Sequence, residues 1–300
     1  MQSPKVSVGV PCYDRPDTLD QCLASLSGQS HQNLEILVAD DATPNPRVAE
    51  IANRHALRDP RIRFVRHTSN IGMIPNFEYV LKNAGGEYFM WSSDDDWWEP
   101  DVIASRLEKF RSEGTSVVTV ASETLYETPV GTFPFFTEGE AFRDFRSSVP
   151  AERIEHLVSH IYGILMYGLH RREALFQDGK TIFSWFGRAY NENSAILMLA
   201  SKGDILTLPL VGLHKRAPAS CAAEQRWVAH GGRLPKSLWS RSKRQLKNLR
   251  YHFTSYHDCR RALEALHLEP DTMRRADKAV RVALTKGAWD AAKGWRTQQP

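Results

Sequence analysis

The chain has 300 residues, of which 42% are hydrophobic, 25% charged and 10% aromatic, a composition that excludes a collagen-like, low-complexity or wholly disordered protein. No apolar run approaches the roughly 18 residues of a membrane helix, and the opening MQSPKVSVGVPCYDRP lacks the basic-then-apolar pattern of a signal peptide. The net charge of +4 is unevenly spread: residues 226–300 hold 17 Lys/Arg against 6 Asp/Glu, a balance of +11, which leaves −7 on residues 1–225. An acidic body with a basic tail suggests that the body holds cations and the tail meets an anionic surface.

In chain order, Lys5–Pro11 reads as a short strand ending in turn residues. Asp17–Leu26 is helical, with Leu19, Cys22, Leu23 and Leu26 on one face. Leu34–Ala39 is a near-continuous apolar run, as a strand buried on both faces should be, and it ends at Asp40-Asp41. Arg47–Arg58 is a helix facing inward through Val48, Ile51, Ala52 and Ala56. Ile62–Val65 is a third strand. Asn76–Ala84 is a helix stopped by Gly85-Gly86. Tyr88–Trp91 is a fourth strand that runs into Ser92-Ser93-Asp94-Asp95-Asp96. The alternation predicts an α/β fold with a doubly wound, mostly parallel sheet, whose ligands collect at the carboxyl ends of the strands.

Beyond Pro100 the pattern predicts a helix over Asp101–Glu113, a strand over Ser116–Ser122, and loop or irregular strand over residues 124–150. A helix over Arg153–Ile161, a strand over Leu165–His170, a helix over Ser194–Ser201 and a strand over Ile205–Val211 follow. From about Arg226 the character changes. Trp239, Leu246, Leu249, Phe253 and Tyr256 share a helical stripe, with Arg241, Lys243, Arg244, Lys247 and Arg250 between them. A second basic helical stretch covers Asp271–Lys286. Cys12, Cys22, Cys221 and Cys259 form no C-x-x-C pair, so neither a structural zinc site nor a disulfide framework is expected. A reducing cytosol is the expected compartment.

The chemistry concentrates in two acidic clusters just after strands, Asp40-Asp41 and Asp94-Asp95-Asp96. In a parallel sheet both lie on one edge, where gathered carboxylates repel unless a cation or a donor compensates. A hard ion such as Mg²⁺ or Mn²⁺ takes oxygen ligands and bridges to substrate phosphates. Helix capping is the simpler reading of any single one of these aspartates. Neither G-x-x-x-x-G-K-[ST] nor G-x-G-x-x-G after the first strand is present, which argues against kinase, ATPase and dinucleotide dehydrogenase chemistry.

Two segments carry a family resemblance. KVSVGVPCYDRPDTLDQCLASLSGQSHQNLEILVADDAT and RIRFVRHTSNIGMIPNFEYVLKNAGGEYFMWSSDDDWWEP are similar, in order, to the first strand through the acidic site of family 2 glycosyltransferases. The likeness extends over about residues 5–215. It implies a GT-A fold, Rossmann-like with flanking helices, plus a basic helical C-terminal extension. The implied organisation is a nucleotide-sugar-binding half over residues 1–100, an acceptor half over 101–225 and the extension over 226–300. Carried over, Tyr13 lies against the base and Asp41 bonds its edge, with Pro11 and Asp14 lining the same pocket. Asn70 and Gly72 form the supporting turn. Asp94 contacts the ribose and shares the metal with Asp95, Ser93 standing where the family usually has an acid. Asp96 is read as a cap or a supporting group, and Trp97 and Trp98 as packing residues.

The stretch NENSAILMLASKGDILTLP resembles the family's base region and places Glu192 as the catalytic base, with Asn191 at its usually acidic neighbour. The alternative is that Glu192 starts the helix and complements its dipole. Lys215 and Arg216 are candidates to approach the diphosphate, and His214 is an extra metal or phosphate contact. The usual histidine just beyond is replaced by Pro218. LHRREAL, Leu169–Leu175, resembles a supporting turn below the acceptor site.

The implied protein is an inverting, Mn²⁺- or Mg²⁺-dependent transferase moving a sugar from a nucleotide-sugar, a UDP-sugar by expectation, to a hydroxyl of a glycan or lipid-linked acceptor. Surface polysaccharide synthesis is the expected setting. Alternatives are a nucleotide-sugar-binding scaffold and, with less support, a nucleotidyltransferase. The basic tail suggests peripheral attachment to an anionic membrane face, with core packing of its apolar stripe as the other reading. No nucleic-acid partner is expected, since no recognised motif accompanies the charge.

Overall fold

The computed structural model describes residues 3–129, 131–134, 144–158, 163–185, 192–216 and 256–296. It divides into two compact units. The first comprises Met1–Asp144, Ile164–Phe176 and Ile205–Ala222, and the second comprises Phe145–Gly163, Gln177–Asp204 and Ala223–Pro300.

The first unit opens with β1 (Val6–Cys12), α1 (Pro16–Ser27), β2 (Leu34–Asp40), α2 (Pro46–Arg58), β3 (Ile62–Arg66), α3 (Met73–Lys82) and β4 (Tyr88–Trp91). Every residue of β1 and β4 is buried, as in strands covered on both faces. Pro16 sits in the first turn of α1, where a missing N–H costs nothing, and the buried stripe is Pro16, Leu19, Cys22, Leu23 and Leu26. Asn45 caps α2 by accepting the Arg47 N–H at 3.1 Å. Strand β1 pairs in parallel with β2 and β4, and β2 with β3. Cys12 is in register with Asp40, and Gly9 with Trp91, so the segments following β1, β2 and β4 leave the sheet on one edge. Gly9 is needed where α3 crosses the sheet: a Cβ there would stand 2.5 Å from Val80 Cγ2 and 2.8 Å from Phe89 Cζ.

Next come β5 (Trp97–Trp98), α4 (Val102–Glu113), β6 (Val117–Thr128), β7 (Gly131–Pro134) and β8 (Leu169–Arg171). The unit's last strand is β9 (Asp204–Arg216). The spatial order is β3-β2-β1-β4-β8-β6-β9-β5, with β7 paired to β6. The sheet is therefore mixed. Its β3-β2-β1-β4 half is parallel, while β8 runs antiparallel to β4 and β6, β7 to β6 and β5 to β9. Strands β6 and β7 pair as consecutive antiparallel neighbours, while α4 lies between β5 and β6 in the chain.

Four expectations change. The strand expected over Leu165–His170 is a 3₁₀ turn, Gly163–Tyr167, followed by the shorter β8. The stretch expected as loop or irregular strand after residue 124 contains the regular end of β6, to Thr128, and β7, paired antiparallel to it. Helix α3 ends at its cap Asn83, before Gly85-Gly86. Gly86 instead gives its N–H to Ser7 Oγ at 2.7 Å, at a contact too close for a side chain. The pair Trp97–Trp98, read as packing residues, also makes a strand too short for sequence periodicity to reveal.

In the second unit, α5 (Pro150–Val158) and α6 (Glu192–Lys202) pack together. Arg153 ties them by donating from Nε to the Ala200 carbonyl at 2.6 Å and from Nη2 to that of Ser201 at 3.0 Å, satisfying the open end of α6. Residues 256–264 are helical, and α7 spans Pro270–Arg296. The basic stretch over Asp271–Lys286 is thus a helix, and its stripe Ala276, Val280 and Leu284 is buried. Arg275 makes a two-pronged ion pair with Glu155 of α5 at 2.9 and 2.8 Å. The first basic stripe, Trp239 to Phe253, lies outside the described residues, as do Asn191 and Pro218.

Candidate donor-binding site

Carboxylates knit together the loops that leave the parallel edge. Past β1, the Asp14 backbone turns into the left-handed region at φ 53° and donates its N–H to Thr43 Oγ1 at 3.0 Å. Thr43 in turn donates its N–H to Asp40 Oδ1 at 3.0 Å. Asp41 is buried and accepts the N–H groups of Ile71, at 2.7 Å, and Gly72, at 3.0 Å, one on each oxygen. Gly72 has φ 92°, a conformation that favours glycine. Asp41 therefore fixes the turn containing Asn70 and Gly72 through the backbone. Tyr13 is 46% exposed above this edge, while Pro11 is buried within β1.

The three aspartates after β4 differ sharply in environment. Asp94 is buried; its Oδ2 accepts the Tyr13 N–H at 3.0 Å and its Oδ1 accepts Arg15 Nη1 at 2.8 Å. Burial raises its pKa above the ordinary carboxylate value, against the opposing pull of the Tyr13 amide and Arg15. Asp95 keeps 26% of its side chain exposed, with Oδ2 at 3.3 Å from the same Arg15 nitrogen.

Asp96 is 1% exposed and pairs through Oδ2 with Lys215 Nζ at 2.6 Å, while its buried Oδ1 has no hydrogen-bond partner. Burial pushes its pKa up to about 6, although Lys215 pulls the other way. It is not a helix cap: the cap position of α4 is Asp101. Lys215 Nζ also lies 4.0 Å from the centre of the Tyr167 ring. Burial would lower the lysine's pKa, but Tyr167 and Asp96 outweigh it and hold the ammonium charged.

Tyr167 belongs to this cluster too. Its hydroxyl is 3.0 Å from Ser93 Oγ, and its carbonyl accepts Arg106 Nη1 at 3.0 Å. Arg106 is fully enclosed, also donates to Ser122 Oγ at 2.8 Å and lies over the Trp98 ring. Burial pushes its pKa down to about 9, which leaves it cationic at neutral pH.

The structure thus gathers Tyr13, Asp14, Asp41, Asn70, Gly72, Asp94, Asp95, Lys215 and Arg216 in the first unit. An open cleft of about 430 Å³ is lined by Asp14, Arg15, Pro16, Asp17, Thr18, Asp95 and Arg216. Arg216 lines this cleft and contacts Gln21 Oε1, whereas Lys215 points at Asp96. His214 stacks flat on Trp97, with ring centres 3.5 Å apart, and its Nε2 is 2.8 Å from Glu99 Oε1. Glu192 is exposed at the start of α6 in the second unit. Sequence reading missed Arg15 and Tyr167. Arg15 had a signal, standing two residues beyond Tyr13 on the same edge, whereas only tertiary packing brings Tyr167 there.

A buried, carboxylate-stitched edge of parallel strands beside an open cleft is where open α/β sheets bind their ligands. Residues 7–138 match the model described as "Glycosyl transferase family 2". The uncharacterized glycosyltransferase EpsJ of Bacillus subtilis is 36% identical over 115 residues, covering 38% of this chain and 33% of EpsJ. The chain spans less than half the length of the other leading curated relatives it matches.

Among solved structures, S. aureus TarS 1-349 in complex with UDP-GlcNAc aligns with TM-score 0.53 and 11% identity, covering 98% of this chain and 92% of TarS 1-349. The mannosyltransferase PcManGT from Pyrobaculum calidifontis, in complex with GDP-Man and Mn²⁺, aligns with TM-score 0.54 and 18% identity over 99% of this chain and 79% of its own. These likenesses establish a shared GT-A-like fold.

Proposed function

We propose that the chain is an inverting glycosyltransferase that moves a sugar from a UDP-sugar to a hydroxyl of a glycan or lipid-linked acceptor, in polysaccharide synthesis. The observation that carries this reading is the edge itself: Asp94 and Asp95 lie beside an open cleft, under an exposed Tyr13 and a turn held by Asp41. That TarS is solved with UDP-GlcNAc and PcManGT with GDP-Man supports a nucleotide-sugar donor.

In this reading the base lies against Tyr13, with Asp41 and the Asn70–Gly72 turn at its edge and Pro11 and Asp14 closing the pocket. Asp94 meets the ribose, and Arg216 faces the diphosphate from the cleft. Among the described residues no three His, Cys, Asp or Glu side chains form a ready-made metal cage. Mg²⁺ and Mn²⁺ need none when one or two carboxylates share them with substrate phosphates, and Asp94 and Asp95 supply hard oxygens of that kind. When bound, the divalent ion supplies charge stabilisation to the departing diphosphate. His214 is engaged with Glu99 and Trp97, which leaves the ion to the two aspartates.

Glu192 takes the proton of the acceptor hydroxyl as that oxygen bonds to C1 of the sugar. The bond from C1 to the diphosphate oxygen breaks with inversion, and the nucleoside diphosphate leaves. Among the described residues no helix is long and apolar enough to cross a membrane. The basic extension, residues 226–300, is the part proposed to meet an anionic membrane on its cytoplasmic face.

Calorimetric titration of UDP, with GDP and dTDP as controls, in Mn²⁺ and in EDTA, tests the donor reading in wild type and Asp95→Ala. Metal-dependent UDP binding that the variant loses supports it. No nucleotide binding with Mn²⁺ present overturns it.

A further inference from the structure

The three aspartates after β4 bring three negative charges into adjoining positions, and two side-chain cations meet them in different ways. Lys215 is built in. Its side chain is only 17% exposed, it faces an Asp96 that is 1% exposed, and the Tyr167 ring backs it. Arg15 is held from one side only. Its side chain is 54% exposed and lines the open cleft, and one nitrogen, Nη1, serves both Asp94 Oδ1 at 2.8 Å and Asp95 Oδ2 at 3.3 Å. A guanidinium can bind a carboxylate or a phosphate with two parallel N–H donors. Here a single nitrogen is shared between two acids. If Arg15 moves, Asp94 keeps the Tyr13 N–H on its other oxygen, and the exposed guanidinium is already in reach of water.

We propose that Arg15 is the resident cation of the donor site, neutralising Asp94 and Asp95 while the site is empty and passing to the donor's diphosphate when a divalent ion takes Asp95. The inference rests on the reading of this edge as the donor site. Arg15 and the ion compete for the same oxygens, and a dication is repelled by a guanidinium left within a few ångströms of it. A diphosphate removes the conflict, since it brings negative charge for Arg15 to meet. Arg15 therefore opposes the ion alone and favours the ion and nucleotide together. The empty edge is kept from collapsing through repulsion between its acids, and from filling with metal before the donor arrives.

Opposite signs in two binding assays give the test. Mn²⁺ alone is titrated by electron paramagnetic resonance, and UDP is titrated calorimetrically in saturating Mn²⁺, for wild type, Arg15→Gln, Arg15→Lys and Asp95→Asn. Circular dichroism and thermal melts establish that each variant is folded. Arg15→Gln is expected to bind Mn²⁺ on the order of tenfold more tightly and UDP on the order of tenfold more weakly, the scale of one unit charge acting on another at a partly solvated distance. Arg15→Lys keeps the charge and is expected to keep the weak Mn²⁺ binding of wild type. Asp95→Asn is expected to abolish Mn²⁺ binding.

A folded Arg15→Gln with unchanged or weaker Mn²⁺ binding overturns the proposal, as does an Asp95→Asn that binds Mn²⁺ like wild type. A shift of both ligands in the same direction shows a merely structural arginine and also overturns it. If wild type and Arg15→Gln bind Mn²⁺ in the expected order but neither binds UDP, the donor reading fails and the competition at the aspartates stands.

Discussion

Replacing Lys215 by Met tests whether that lysine serves the fold or the diphosphate. Met keeps the apolar stem against Tyr167 and removes the charge 2.6 Å from Asp96. The native Asp96 carboxyl holds its proton up to about pH 6, against 3.8 for an ordinary aspartate. Between those values the native state binds more protons than the unfolded one, so stability declines as pH rises through that window. The shift already costs about 3 kcal/mol at neutral pH, at 1.36 kcal/mol per unit. Without Lys215 the buried carboxyl keeps its proton to higher pH still, and protonation sets a ceiling on the cost. At pH 7.5 that ceiling is about 5 kcal/mol, so Lys215→Met loses up to about 2 kcal/mol relative to wild type. At pH 5.5 both proteins carry Asp96 mostly protonated, and the difference shrinks to below about 0.5 kcal/mol. Urea unfolding at the two pH values reads this directly, and Asp96→Asn in the Lys215→Met background should recover most of the loss. Equal destabilisation at both pH values, or no recovery in the double variant, would refute the account. A lysine that instead served the diphosphate would leave stability unchanged and weaken UDP binding.

Asp41→Asn leaves one of two backbone N–H groups at residues 71 and 72 without its acceptor. It should cost about 1–3 kcal/mol and raise the Kd for UDP, measured by melting and calorimetry. His170 is fully buried, with Nδ1 2.9 Å from Thr119 Oγ1 and Nε2 3.0 Å from the Met166 carbonyl, and burial lowers its pKa from 6.5 to about 4. The unfolded state then binds more protons in that window, so this histidine's contribution to stability should be full above pH 6.5 and fall by on the order of 3 kcal/mol by pH 4. The difference in unfolding free energy between wild type and His170→Gln should track that change. Glu192→Gln should lower kcat by roughly 10²–10⁴-fold with UDP affinity unchanged, and wild-type turnover in that variant would remove Glu192 as the base.

Much of the first unit was legible because its signals are local. Val6–Cys12 is buried throughout and reads as a short β-rich run, and Leu34–Asp40, buried except at Glu35, reads as a near-continuous apolar run. Once such strands alternate with helices, parallel pairing places Asp40, Asp41 and the Asp94 triplet on one edge without further information. What the sequence could not convey was which cation meets which acid. Lys215 and Arg216 are neighbours on an extended strand, whose successive side chains point to opposite faces. One therefore reaches Asp96 and the other the cleft. No motif separates them, because the register of β9 against β5 decides it, with Leu213 opposite Trp98 and His214 opposite Trp97. The same register stacks His214 on Trp97 and brings it to Glu99.

The triplet's chemistry follows from that division. Three identical side chains in a row would bind alike in water, and burial makes them unlike. Asp96 is sealed with a fixed ammonium and serves as a wall. Asp94 is sealed too, but its two oxygens hold the Tyr13 backbone and Arg15, so it sets the position of the loop that carries the exposed Tyr13. Asp95 alone of the three keeps a substantial exposed surface on the cleft. A ligand arriving from solvent therefore meets one available carboxylate of the triplet, with Asp94 behind it and an exposed arginine bridging the two. That arrangement favours a cation that arrives with its own anionic partner over one that arrives alone, because only the pair gives Arg15 a new place to go.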